Sequence, residues 1–259
     1  MSGQSMVGCF RKIDPALNGT PQFVLTLAIL PILCAPGRAA EDAVPPATAT
    51  RSAVPLICTE TQISARTRVR GTAVIVDAKG VILTAAHVVF HPSLFCTLTV
   101  LVPDDEWSNA REYRAFSVRQ CAIQESLDVA ICRIEPVERK KDWAYVRAAK
   151  LGQPLPEADS AITITGFWGW GMLPVPRRGK LKSHMLYKRQ DGVYCDFSTD
   201  IVGFEGMSGS PVVTDQGYVI GLVTTAGIKK FSGTSFGISI ERAAGFLRAN
   251  GLTLLPDLR

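Results

Sequence analysis

The sequence predicts an all-β fold, an antiparallel barrel or sandwich finished by one C-terminal helix. Three observations predict it. From about residue 69 onward, short apolar runs recur between turn residues: VRGTAVIVD, VILTAA, CTLTVLV, YRAFSVRQC, DVAICRIE, SAITITGFW, GVYCDFS, SPVVTD, YVIGLVTTA and TSFGISI. No helical periods lie between them, which argues against the strand and helix alternation of a parallel sheet. With 259 residues, 47% hydrophobic and 20% charged, the chain can bury a sizeable core and has neither disordered nor collagen-like composition.

The N-terminal segment reads differently. Arg11 and Lys12 precede the apolar run FVLTLAILPIL, and the small residues of CAPGRAA follow, so residues 1–39 are expected to be a signal peptide cleaved after Ala39. The run is about half the roughly 20 residues a spanning helix needs, and Pro31 weakens it further. Leu33 before Cys34 does not fit a lipoprotein cleavage site. The expectation is an exported protein, periplasmic or secreted, without stable membrane insertion; the alternative is tethering by an uncleaved anchor. Residues 40–57, rich in Ala, Pro and Thr, read as a flexible linker.

The folded domain is expected over 58–252. Its first group of strands, about 58–135, contains the hairpin VRGTAVIVD, AKG, VILTAA, with a short helix beginning near Ala85 and His87. Residues 136–156 lack strand alternation and read as a connection to a second group at about 157–240. A helix at about 241–250 follows, with Ser239 as its cap and Gly251 as its stop.

Residues 40–259 hold 25 basic and 22 acidic side chains, a net charge of +3 too mild to imply a nucleic-acid partner. Arg177, Arg178, Lys180, Lys182, Lys188 and Arg189 cluster among Pro174, Pro176 and Gly179, and read as a solvated loop. Past residue 39 the cysteines are Cys58, Cys96, Cys121, Cys132 and Cys195, an odd number that leaves at least one unpaired unless two chains cross-link. Cys121 and Cys132 flank a tight turn and are expected to be cross-strand neighbours, bonded or not. With no C-x-x-C, no H-E-x-x-H and three histidines, no metal or other cofactor is expected.

The chemistry concentrates in three places. In GMSGSP, Gly206 to Pro211, small residues surround Ser208, a hydroxyl that becomes a nucleophile when a base takes its proton. The N–H groups of Gly206 and Ser208 are candidates for an oxyanion hole. His87 in TAAHVV sits where a strand stops and a short helix starts, and Asp128 opens the apolar run DVAICRIE, whereas Asp104 and Asp105 lie in a polar turn. The order is His, Asp, Ser. An α/β-hydrolase needs its histidine after the serine, and none follows Ser208. A subtilisin order needs an aspartate before His87, and Asp77 belongs to the hairpin turn.

Together, GTAVIVDAKGVILTAAHVV, SLDVAICRI, Thr199 and Asp200 ahead of GMSGSPVV, and GISI before the last helix resemble the chymotrypsin-like (trypsin-like) serine peptidases. Within them the resemblance is to the bacterial HtrA and glutamyl endopeptidase-like branch, without a PDZ module, over roughly residues 69–250. It implies two six-stranded antiparallel barrels with a catalytic triad of His87, Asp128 and Ser208 in the cleft between them. It also implies a serine endopeptidase that works through an acyl-enzyme on protein or peptide substrates. Met207 stands where trypsin-type enzymes carry an aspartate that pairs with a new N-terminus, so that mode of activation is not expected. By analogy the primary pocket is lined by Val202, Thr224, Thr225, Ala226 and Ser235, none charged, which suits a small or apolar side chain. His184 is the alternative, favouring an acidic one. A catalytically weak or inactive binding protein, and an esterase using the same site, are the competing readings.

Overall fold

The computed structural model describes residues 52–60, 68–90, 96–103, 113–136, 148–152, 154–167, 173–227 and 233–255. The expected signal peptide, residues 40–51 of the expected linker, Asp104 and Asp105, and 137–147 of the expected connection lie outside them. Six strands form a closed antiparallel barrel: β1 (Ala53–Glu60), β2 (Arg68–Asp77), β3 (Val81–Ala85), β4 (Cys96–Pro103), β5 (Tyr113–Gln124) and β6 (Val129–Pro136), in the order β1-β2-β3-β6-β5-β4. The β2–β3 hairpin turns where AKG predicts it, with Gly80 at φ +86° and its N–H donating to Asp77 O. Leu56, Ile75, Ile82, Val100 and Phe116 fill the interior.

The linker expectation ends too late. Ala53, Val54, Leu56 and Ile57 are buried in β1. Pro55 is tolerated because it faces Thr72 of β2, whereas pairing with β4 starts only at Leu56, so one side of the strand is open there.

Further along the chain come β7 (Lys150–Leu151), β8 (Ala161–Gly166), β9 (Val175–Ser183), β10 (Tyr187–Lys188), β11 (Tyr194–Cys195), β12 (Phe197–Thr199), β13 (Pro211–Thr214), β14 (Tyr218–Ala226) and β15 (Ser235–Ser239). The order β13-β8-β9-β12-β15-β14 closes into a second six-stranded ring through β13–β14 pairing. The two barrels are those the family resemblance implies. Strand β7, inside the expected connection, adds to β14 in parallel, and β10 pairs with β11 as a separate ribbon. Most of the basic segment is not loop: Val175–Ser183 is strand β9, paired with β8 over Val175–Lys180. Pro176 sits where β9 lacks its second neighbour, because pairing with β12 is confined to Leu181–Ser183. Its cations are engaged, Arg178 with Asp215 at 3.1 Å and Lys182 with Asp159 at 2.9 Å.

The barrels share an apolar seam. Val74, Leu83, Val129 and Ile131 of the first pack with Val213, Leu222 and Ile238 of the second. The helices are α1 (Ala86–Val89) and α2 (Ile240–Ala249), and α2 adds Ile240, Ala243 and Leu247 to the seam, a 3–4 spacing that puts them on one face. Among the described residues no helix is long and apolar enough to cross a membrane. Cys121 and Cys132 are disulfide-bonded across β5 and β6, and Cys195 is free and buried.

Ser239 caps α2 as its position suggests. Its Oγ accepts from Arg242 N–H at 3.0 Å and donates to Asp196 Oδ2 at 2.5 Å, and its own N–H donates to Asp196 Oδ1 at 2.7 Å. Burial holds the Asp196 carboxyl above the usual carboxylate range. Ser239→Ala removes the cap and orphans one oxygen of that carboxylate. It is expected to lower stability by about 1–3 kcal/mol, read from the urea midpoint; an unchanged midpoint would show that water replaces both bonds.

Candidate active site

His87 is placed by the junction between β3 and α1. The Ala86 N–H donates to Asp128 O at 3.0 Å, which fixes the first turn against the segment that follows the 3-10 turn Glu125–Leu127. Asp128 lies one residue before β6 in the left-handed region, φ +53°, where aspartate is tolerated better than most side chains. This backbone turn aims the carboxylate back at α1. Its Oδ1 accepts the His87 main-chain N–H at 2.8 Å, and its Oδ2 stands 2.7 Å from His87 Nδ1. The carboxylate is 4% exposed and the imidazole 44%. An ionised Asp128 therefore selects the tautomer with the proton on Nδ1 and leaves Nε2 a free acceptor.

Ser208 comes from the second barrel, on the turn between β12 and β13. Three amides of this turn are occupied: Met207 N–H donates to Phe204 O at 3.1 Å, Gly209 N–H to Val223 O at 2.7 Å and Ser210 N–H to Met207 O at 2.9 Å. Among the described residues, the N–H groups of Gly206 and Ser208 have no acceptor. These are the two amides the sequence singles out. Gly206 holds φ +96° and Gly209 +84°. A side chain at Gly209 would also run into Thr72 O and Thr84 Oγ1.

One residue that sequence reasoning misses organises this turn. Thr72 of β2, fully buried, donates from its N–H to Ser208 O at 2.8 Å and from Oγ1 to Gly206 O at 3.0 Å. Thr72 Oγ1 accepts from Phe167 N–H at 3.0 Å, and Thr72 O accepts from Thr84 Oγ1 at 2.7 Å. The first barrel thus grips the Ser208 turn by its carbonyls. Gly71 stands between the two halves: a Cβ there would lie 2.7 Å from Val88 and 2.8 Å from Ser208 O. Ser208 is one glycine away from the helix that carries His87. Among the described residues no hydrogen bond joins the Ser208 and His87 side chains. A serine hydroxyl swings about one torsion, and such bonds commonly tighten only with substrate present.

The family model for the trypsin-like peptidase domain matches residues 71–222, more than half of the chain. The chain belongs to the trypsin-like peptidase family. No curated protein matches its sequence. Among solved structures it is similar to the active form of the Rv3671c protease from M. tuberculosis, with a TM-score of 0.60, 21% identity, and coverage of 81% of this chain and 85% of that one. It is similar to the HtrA-type protease AlgW with a tripeptide, with a TM-score of 0.58, 21% identity, and coverage of 80% of this chain and 63% of that one. The apo MamO protease domain from Magnetospirillum magneticum is a third, with a TM-score of 0.58, 17% identity, and coverage of 77% and 97%. At these identities the likeness is one of fold.

In this trypsin-like peptidase the expected pocket residues separate. Thr225 and Ala226 line a cavity of about 430 Å³ with Tyr187, Arg189, Asp191 and Phe236. Thr224 is turned inward, its Oγ1 3.3 Å from Cys195 Sγ, and buried Ser235 shares a 2.7 Å hydrogen bond with Thr199 Oγ1. Val202 is exposed, and His184 lies exposed between β9 and β10. The surroundings of Thr225 and Ala226 are not charge-free as the sequence suggests, since Arg189 and Asp191 join them, paired at 2.6 Å. A second cavity of about 430 Å³ runs past His87, Phe90, Ile123, Asp128 and Val193. Among the described residues no three His, Cys, Asp or Glu side chains gather as metal ligands do.

Thr72→Val keeps the shape of β2 but strands Phe167 N–H and Gly206 O, both of which depend on Oγ1. It is expected to lose about 1–3 kcal/mol of stability, with Thr72→Ser restoring most of it, measured by denaturant unfolding. A valine variant as stable as the parent would show that the hydroxyl does not hold the turn.

Proposed function

We propose that this trypsin-like peptidase is a serine endopeptidase in which Ser208 is the nucleophile, His87 the general base and Asp128 the orienting acid. The observation that carries the reading is the doubly hydrogen-bonded His87–Asp128 pair beside a turn whose Gly206 and Ser208 amides are unengaged. With the Nδ1 proton held by Asp128, Nε2 takes the Ser208 proton as Oγ attacks the scissile carbonyl. The carbonyl oxygen becomes an anion, and the amides of Gly206 and Ser208, carried on a turn that Thr72 and the Ser210 to Met207 hydrogen bond brace before the reaction starts, stabilise it at little reorganisation cost. His87 then hands its proton to the leaving amine, and water, deprotonated by the same imidazole, releases the acyl group.

The side chain on the acyl side of the cut bond is small or apolar. Thr225 and Ala226, the expected residues that do line the cavity, offer no charge, the Arg189 and Asp191 charges beside them are paired with each other, and a Cβ at Gly203 would lie 2.9 Å from Ala226 Cβ. The N-terminal segment suits export to the periplasm or beyond. A catalytically silent binding protein is the second reading, favoured by the missing hydrogen bond between Ser208 and His87.

A fluorophosphonate probe separates the two. It is expected to label the wild-type chain and not Ser208→Ala; an unlabelled wild type would overturn the peptidase reading. Asp128→Asn is expected to fold normally and to lower kcat by roughly 10⁴-fold on a peptide substrate, through loss of the correct tautomer. Near-wild-type turnover would assign the acid elsewhere.

A further inference from the structure

A third group reaches the Asp128 carboxylate. Arg189 follows β10, in a turn where its N–H donates to Val193 O at 2.7 Å and its carbonyl accepts from Gly192 N–H at 3.0 Å. Its side chain is 24% exposed. Nη2 donates to Asp191 Oδ2 at 2.6 Å, while Nη1 stands 3.6 Å from Asp128 Oδ2, the oxygen that His87 Nδ1 also engages. Nη1 is buried and makes no hydrogen bond among the described residues. A guanidinium nitrogen so placed is costly to bury unless the charge of the neighbouring carboxylate offsets it. Little water lies between them to screen that attraction, because Asp128 is itself buried.

We propose that Arg189 is a positioning residue for the His87–Asp128 pair: delivered by the β10–β11 ribbon, its guanidinium holds the Asp128 carboxylate and opposes protonation of the imidazole on the same oxygen. The proposal rests on the peptidase reading above. Arg189 acts through Asp128, and its charge is permanent because a guanidinium stays protonated at every working pH. A fixed cation and an imidazolium sharing one carboxylate oxygen repel each other, so removing the cation favours the imidazolium over the form that accepts the Ser208 proton. The other ionisable groups facing the pair come from every neighbouring element. Glu125 from the 3-10 turn and Asp191 from the Arg189 turn line the cavity with His87 and Asp128. The Cys195 thiol on β11 is pushed up by burial and stays neutral, and Asp196 is engaged by Ser239.

The test follows the ring resonances of His87 with pH in protein labelled with nitrogen-15 at histidine, in wild type, Arg189→Met and Arg189→Lys. In Arg189→Met the His87 midpoint is expected to rise by about half a pH unit or more, a roughly threefold larger imidazolium fraction at fixed pH near the midpoint. The acid limb of kcat/KM moves with it, and Arg189→Lys restores most of the wild-type position. His184, exposed elsewhere on the surface, stays put. A folded Arg189→Met whose His87 midpoint does not move overturns the proposal, including when kcat or thermal stability falls, because a purely structural arginine would give that result. Should the methionine variant not fold, Arg189→Gln removes the same charge and is read the same way. Failure of wild type to react with the fluorophosphonate sinks the peptidase reading and leaves the titration legible, so the two fail separately.

Discussion

The constraint behind the site is alignment across a seam. His87 and Asp128 belong to one barrel and Ser208 to the other, and apolar contact alone does not set their relative position to a fraction of an ångström. Burial of Val74, Leu83 and Val129 against Val213, Leu222 and Ile238 supplies most of the attraction, but it is non-directional and tolerates sliding. Direction comes from Thr72. Its N–H and hydroxyl reach two carbonyls of the Ser208 turn, Ser208 O and Gly206 O. Since each peptide unit is planar, those carbonyls set the planes on either side of the Met207–Ser208 peptide, and the Ser210 N–H on Met207 O sets the plane that carries the Ser208 amide.

Close approach has a compositional consequence. Gly71, Gly166 and Gly209 stand where a Cβ would meet Val88 and Ser208 O, Ser210 Oγ, and Thr72 O respectively. A larger residue at any of them would separate the barrels or displace the Ser208 turn. The hinge between catalytic chemistry and fold is therefore a ring of missing side chains around one threonine. Arg189 adds a second crossing, electrostatic where Thr72 is directional, from the β10–β11 ribbon to Asp128.

Much of this was legible in the sequence because it was written in alternation and order. The β2–β3 hairpin shows as two apolar runs around AKG, and Ser239 reads as a cap because a small hydroxyl precedes an apolar run of helical period. His87 and Asp128 stand out because each sits at the end of an apolar strand, and the structure joins them by hydrogen bonds. What was hidden was hidden by composition. AVPLI at the start of β1 looks like the Ala- and Pro-rich stretch before it, and β9 carries a proline, a glycine and charges that normally mark loops. Both survive as strands because each proline sits where its strand has a neighbour on one side only. Thr72 had a faint signal, a hydroxyl inside an apolar strand beside a glycine, but threonine suits strands for its branching alone. The Arg189 contact had none, since its turn and Asp128 are brought together only by barrel docking.

A crystal structure of the chain inactivated by a peptidyl boronate tests this alignment most directly. Boron is expected on Ser208 Oγ, with one boronate oxygen about 2.7–3.1 Å from the Gly206 and Ser208 N–H groups and His87 Nε2 within hydrogen-bonding reach of the adduct. Boron on another residue, or an oxygen turned away from those two amides, would contradict it.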